Sequence, residues 1–233
     1  MKYLDPERLA SIDAESFRSQ RPYPWANPVG LLRDEGFRQL HRDLPELSLF
    51  DEVFGKRRKY GQQSHDRYTL DWSPDLPVAP SWHEFVAEIQ GDAYRRFLVA
   101  LFGTNGFELR LHWHYPPRGC SVSPHCDAKR KLGSHIFYFQ TSGDWDPSWG
   151  GETLILDDSG RFASDSAPSF EDFDSAVTPE TVDNRSLLFA RRGDSWHGVR
   201  ELVCPPERLR KVFIVTVEKP SLGRRLRWMR GAA

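Results

Sequence analysis

Cysteine is scarce in this chain. There are three, Cys120, Cys126 and Cys204, among 233 residues. The number is odd and no CxxC pair occurs, so neither a disulfide framework nor a thiolate zinc site is expected. Free thiols suit a reducing compartment, and we expect a cytoplasmic protein. Long apolar runs are also missing: none approaches the ~20 residues of a membrane-spanning helix. The opening Met1-Lys2-Tyr3-Leu4-Asp5-Pro6 has no signal-peptide hydrophobic region. Nor is there an excess of charge of either sign. Lys and Arg number 32 against 33 Asp and Glu, so no overall field draws the chain to nucleic acid or membrane. What the chain does have is 39% hydrophobic and 13% aromatic residues, enough for a core of normal size.

Helical signals dominate the first hundred residues. Asp5-Pro6 reads as an N-cap followed by proline at the first helical position, and Asn27-Pro28 repeats the signal ahead of Leu31, Leu32, Phe37 and Leu40. Ser81-Trp82-His83-Glu84 has the capping-box pattern. Asp92 reads as the cap of a further helix, carrying Tyr94, Phe97, Leu98 and Leu101 and stopped by Gly103. Residues 68–72 form a strand candidate between these helices. After about Gly106 the pattern changes to short strands: 107–115, 134–140, 153–156, 186–190 and 212–217. Residues 157–184, rich in Asp, Ser and Pro, read as a long surface loop or insertion. We therefore expect a mainly β protein with α: one domain, with a helical N-terminal layer (1–105) packed on a jelly-roll core (106–220) and followed by a basic tail (221–233).

Three residues carry chemistry. His125 and Asp127 lie two apart in Ser123-Pro124-His125-Cys126-Asp127, and His197 lies far downstream in Ser195-Trp196-His197-Gly198-Val199. On a strand, residues i and i+2 face one side, so His125 and Asp127 aim together while Cys126 points away. Two imidazoles and one carboxylate on one face of a metal, the other face open, are the ligand set of non-haem Fe(II) oxygenases. An isolated H-x-D is weak, so its flanks matter. Tyr115-Pro116-Pro117-Arg118-Gly119 precedes it. Phe137-Tyr138-Phe139-Gln140, Asp144-Trp145-Asp146, Gly150-Gly151-Glu152-Thr153-Leu154, Asn184-Arg185-Ser186-Leu187-Leu188-Phe189 and Arg210 follow in order.

This ordered set, over roughly residues 107–218, resembles the Fe(II)- and 2-oxoglutarate-dependent oxygenases, most closely the branch that includes prolyl hydroxylases. The resemblance implies a double-stranded β-helix holding Fe(II), with 2-oxoglutarate and O2 as co-substrates. It implies His125, Asp127 and His197 as metal ligands. Arg210 would bind the far carboxylate of 2-oxoglutarate with its planar fork, helped by the Tyr138 hydroxyl. Arg208, on the same face by the period-two rule, is a rival. Val212 stands where the family often has Ser, and Thr216 lies too far along to replace it. Tyr115 matches a pocket tyrosine of the branch; the other reading is an aromatic packed under the sheet. His112 and His114 share a face with Arg110, and either line the pocket or face solvent. Trp196, His83 and His135 read as structural. The intact Asp127 carboxylate favours hydroxylation or desaturation over halogenation.

Arg118, Lys129, Arg130, Lys131, Arg191, Arg192 and Arg200 fall on segments expected at the pocket mouth. They read either as a solvated rim or as receptors for an anionic substrate. The basic Arg224-Arg225-Leu226-Arg227-Trp228-Met229-Arg230 reads as a soluble tail or a contact for an acidic surface. Three functions remain open. One is an oxygenase of a small molecule, glycan or lipid precursor. The second is a peptide hydroxylase, and the third a jelly roll that only binds metal or sugar. Oligomeric state is not legible.

Overall fold

The computed structural model describes residues 1–220; the basic tail lies outside the described residues. Five helices form: α1 (Pro6–Ser11), α2 (Ala14–Ser19), α3 (Asp34–Arg42), α4 (Pro80–Gln90) and α5 (Asp92–Phe102). In chain order the strands are β1 (Trp25–Ala26), β2 (Asp51–Val53), β3 (Arg67–Asp71) and β4 (Glu108–Tyr115). They continue with β5 (Val122–His125), β6 (Lys131–Tyr138), β7 (Leu154–Asp157) and β8 (Ser175–Val177). The last three are β9 (Ser186–Ala190), β10 (His197–Val199) and β11 (Val212–Glu218).

The strands make two antiparallel sheets. The major sheet runs β1-β9-β6-β11-β4-β3-β2 and the minor sheet β5-β10-β7-β8, the layering of a jelly roll. The N-terminal part is thus more than a helical layer, since it adds β1 at one edge of the major sheet and β3 and β2 at the other. The major sheet is covered on both faces, which explains the near-continuous burial of β6 and β11. Its outer face packs Trp113, Phe137, Phe139 and Phe213 against Trp82 and Phe85 of α4 and Tyr94 and Leu98 of α5. Its inner face presents Ile136, Tyr138, Leu187, Phe189 and Val212 toward Ile155 of the minor sheet.

Local signals explain some helix ends. The Asp5 carboxylate accepts from the Glu7 and Arg8 amides at 2.9 and 3.1 Å, ahead of Pro6 at the first helical position. Gly103 ends α5 in the left-handed region, φ 69°, which a side chain would disfavour. Other expected caps are corrected. Helix α3 begins at Asp34, because the Asn27 side chain is engaged by Glu180 and Ser186 instead of capping a helix. Ser81 lies inside α4, its hydroxyl donating to the Asp43 carboxylate at 2.6 Å. Gly91, not Asp92, is the N-cap of α5.

Residues 157–184 also depart from a surface loop. They supply β8 to the minor sheet, and Phe162, Phe170 and Phe173 cover its outer face around Leu154, Leu156 and Trp196.

Candidate metal centre

His125 and His197 are cross-strand partners, since β10 pairs with β5 in the register His197–His125. Residues directly opposite share a face, so both imidazoles point between the sheets, with ring centroids 4.4 Å apart. Trp196 alternates to the outer face and is fully buried there. Asp127 lies two residues beyond His125, past the end of β5, in the turn into β6. The extended backbone still carries its carboxylate back: one ligand atom from each of His125, Asp127 and His197 lies within 4.8 Å of the others, and all three residues are buried.

The donor set fits a divalent metal. His125 Nδ1 lies 3.0 Å from the Ser123 carbonyl and His197 Nδ1 lies 2.9 Å from the Ser195 carbonyl. A carbonyl accepts only, so each ring carries its proton on Nδ1 and leaves the Nε2 lone pair for a metal. Burial holds both imidazoles below their ordinary range, so they are neutral ligands at pH 7. Burial works against the Asp127 carboxylate, but the charge of Lys131, with its hydrogen bond, leads the opposing effects and keeps it well below the usual carboxylate range. Lys131 Nζ donates to Asp127 Oδ1 at 2.8 Å, and Arg191 Nε donates to the Asp127 carbonyl at 3.1 Å.

Arg210 precedes β11 and is 5% exposed. Its Nε donates to the Gly151 carbonyl at 2.5 Å and an Nη to Thr153 Oγ1 at 3.1 Å; the Tyr138 hydroxyl donates to the same Thr153 oxygen at 3.1 Å. Gly151 is required there: it sits at φ +105°, and a Cβ would come 3.2 Å from Arg210 Cδ. Arg210 makes no ion pair among the described residues. A buried guanidinium with only neutral acceptors is costly unless an anion joins it. Its rival Arg208 is exposed.

Tyr115 does not reach this interior. It packs on the helix side of the sheet with its ring 4.3 Å from Phe50. Strand alternation puts His114 and His112 on the inner face instead, since His114 pairs with Val212, which in turn pairs with Tyr138. The expected rim also divides. Lys131 and Arg191 contact the ligand segment. Arg200 pairs with Glu171, Arg192 lines a shallow cleft with Arg18, Arg21 and Asp194, and exposed Arg118 makes no contact with the triad. Cys126 points away from the ligands, and burial pushes its thiol up to about 12. His135 and His83 are tied to Tyr94 and to the Leu76 carbonyl, as structural residues are.

Sequence reasoning missed Thr153, which joins Tyr138 to Arg210, and a second group from the β2–β3 connection. His65 is buried with its ring 4.7 Å from that of His125, and Arg67 Nε donates to His114 Nε2 at 3.1 Å. The run Lys56-Arg57-Arg58-Lys59 was the available signal.

No family model and no curated protein sequence matches the chain. Solved structures do. A Pseudomonas putida prolyl-4-hydroxylase is similar over 91% of this chain and 99% of its own, with TM-score 0.63 and 16% identity. A Trichoplax adhaerens prolyl hydroxylase, solved with a hypoxia-inducible-factor peptide, gives 0.60 over 92% and 90% at 12% identity. The 2-oxoglutarate-dependent carbocyclase SnoK of nogalamycin biosynthesis gives 0.62 over 92% and 87% at 9% identity. This chain has the double-stranded β-helix fold of the 2-oxoglutarate- and Fe(II)-dependent oxygenases, prolyl hydroxylases among them.

Proposed function

We propose that the protein is an Fe(II)- and 2-oxoglutarate-dependent dioxygenase. It hydroxylates an unactivated C–H bond of a small-molecule, glycan or lipid-precursor substrate and releases succinate and CO2. The observation that carries this reading is Arg210, a buried guanidinium without a carboxylate, in the same inter-sheet space as the His125–Asp127–His197 triad. A module that only binds metal or sugar has no need of it.

Iron held by His125, Asp127 and His197 would activate O2, the oxidant for both 2-oxoglutarate and the substrate. The chain's own residues do the rest. His125 and His197 present Nε2, fixed by the Ser123 and Ser195 carbonyls. Asp127 is kept ionised beside Lys131, which donates to Oδ1, while Oδ2 has only a long contact from the Ser134 hydroxyl at 3.5 Å. Arg210 would offer its remaining N–H groups and Thr153 its O–H to the 2-oxoglutarate carboxylate, with the Tyr138 hydroxyl held on the Thr153 oxygen. Ile136, Ile155, Leu187 and Phe189 keep water from the space between.

A second reading, a peptide hydroxylase, is favoured by the likeness to a prolyl hydroxylase solved with a peptide. Against it, the β2–β3 connection is tied to the 157–184 insertion by Gln62 Nε2 donating to the Ser166 carbonyl at 3.3 Å, a bridge between two loops that a long peptide would have to pass. Succinate formation by the iron-loaded enzyme separates the readings. Stimulation by small-molecule candidates and none by proline-containing peptides supports the first. The converse supports the second, and no 2-oxoglutarate turnover under any condition contradicts both.

A further inference from the structure

The connection between β2 and β3 carries Lys56-Arg57-Arg58-Lys59 and then turns inward. Its inner end is built into the site. His65 is 8% exposed, and its Nε2 lies 3.2 Å from Ser123 Oγ, in the strand that ends at His125. Half-buried Arg67 braces this end: an Nη donates to the His65 carbonyl at 2.6 Å and its Nε donates to His114 Nε2 at 3.1 Å. The His114 and His112 rings are 4.5 Å apart on the inner face, and His112 Nδ1 is buried with no hydrogen-bond partner.

Several cations of the two sheets are paired, while Arg191 is spent on the Asp127 carbonyl and Arg210 on Gly151 and Thr153. Lys131 is matched by Asp127, Arg110 by Asp71, Arg185 by Glu180 and Arg200 by Glu171. Arg58 and Arg67 form no ion pair among the described residues; Arg58 has only the Gln62 amide oxygen, 3.3 Å from its Nε. A guanidinium held by a carbonyl and an imidazole keeps donors for an outside oxyanion, and its fork matches carboxylate or phosphate. Arg67 is half-buried and tied to His65, whose ring lies against that of His125, and Arg58 is exposed on the same connection, whereas Arg210 is enclosed by Gly151 and Thr153.

We propose that Arg58 and Arg67 receive an anionic group, a carboxylate or phosphate, of the primary substrate beside the metal centre and separate from Arg210. This rests on the oxygenase reading and narrows its substrate to an anion. The C1 carboxylate of 2-oxoglutarate has the same chemistry, so the test must tell the two sources apart.

The probe is inorganic phosphate, added to protein loaded with Mn(II) and saturated with 2-oxoglutarate, with the 31P relaxation caused by Mn(II) as readout. Wild type should bring phosphate close to the metal. Arg67→Gln and Arg58→Gln should each weaken phosphate binding roughly tenfold or more. Arg118→Gln, remote from the triad, should match wild type. Arg58 is exposed, so Arg58→Gln keeps the test valid should Arg67→Gln fail to fold. No phosphate relaxation in wild type, or undiminished relaxation in the variants, overturns the proposal. The visible band of the Fe(II)–2-oxoglutarate chelate is titrated in parallel. Unchanged 2-oxoglutarate affinity in both variants is expected; a tenfold loss assigns the arginines to the co-substrate and overturns the proposal. A missing band in wild type instead removes the oxygenase reading beneath it.

Discussion

Arg210 shows how a single residue acquires a role from its surroundings. In sequence, Arg208 and Arg210 are equivalent by strand alternation. In the fold one is exposed and the other sits under Gly151 and Thr153. Removing one member of a buried, hydrogen-bonded charge pair costs about 2–5 kcal/mol. Arg210→Gln should therefore weaken 2-oxoglutarate by roughly thirtyfold or more, and Arg210→Lys should recover only part of it, since an ammonium lacks the fork. Titration of the Fe(II)-loaded variants checks this; equal affinity in Arg210→Gln and wild type would exclude the residue. The His125–Asp127–His197 cluster was legible because its flanks appear in a fixed order along the chain. Tyr115 was not, because a spacing of residues does not fix which side of the sheet a side chain takes. A one-residue change of phase puts His114 inside and Tyr115 beneath the helices.

At the scale of elements, the pairing of β5 with β10 brings His125 and His197 together, and Gly198 allows the close approach. A Cβ there would come 2.7 Å from the Val122 carbonyl and 2.9 Å from the Phe170 ring. Gly198→Ala should cost about 1–3 kcal/mol and lower metal affinity by displacing His197; urea unfolding and metal titration read both. The insertion reaches the same strand from outside, with Phe173 5.7 Å from Trp196. Phe173→Ala should destabilise the fold by roughly 1–3 kcal/mol, less than a fully buried phenylalanine, where a true surface loop would show no change. The strands of the core were readable within a residue or so at most ends, from short apolar runs between turns. The caps at Asn27 and Ser81 were misread because long-range partners, Glu180 and Ser186 for one and Asp43 for the other, claimed those side chains. Strands β1, β2 and β8 are two or three residues long, too short to carry a period.

Across the whole molecule, two aromatic-rich layers enclose several histidines in neutral form. Burial, reinforced by neighbouring cations, holds His65 and His112 at about 3, whereas the unfolded chain's histidines titrate near 6.5. Between these values the unfolded state binds more protons, so stability is fully present above about pH 6.5 and is lost as pH falls. From pH 7.5 to pH 5 the metal-free protein should lose more than ~2 kcal/mol from these two residues, measured by urea unfolding; constant stability over that range would contradict their neutral burial. The same enclosure buries the triad and Arg210 between the sheets. The most direct test of the account is an anaerobic titration of the metal-free protein with Fe(II) and then 2-oxoglutarate, followed in the visible. A weak charge-transfer band that appears in wild type and is absent in His197→Ala is the predicted result. Metal binding in wild type with no band at any 2-oxoglutarate concentration would contradict the oxygenase reading.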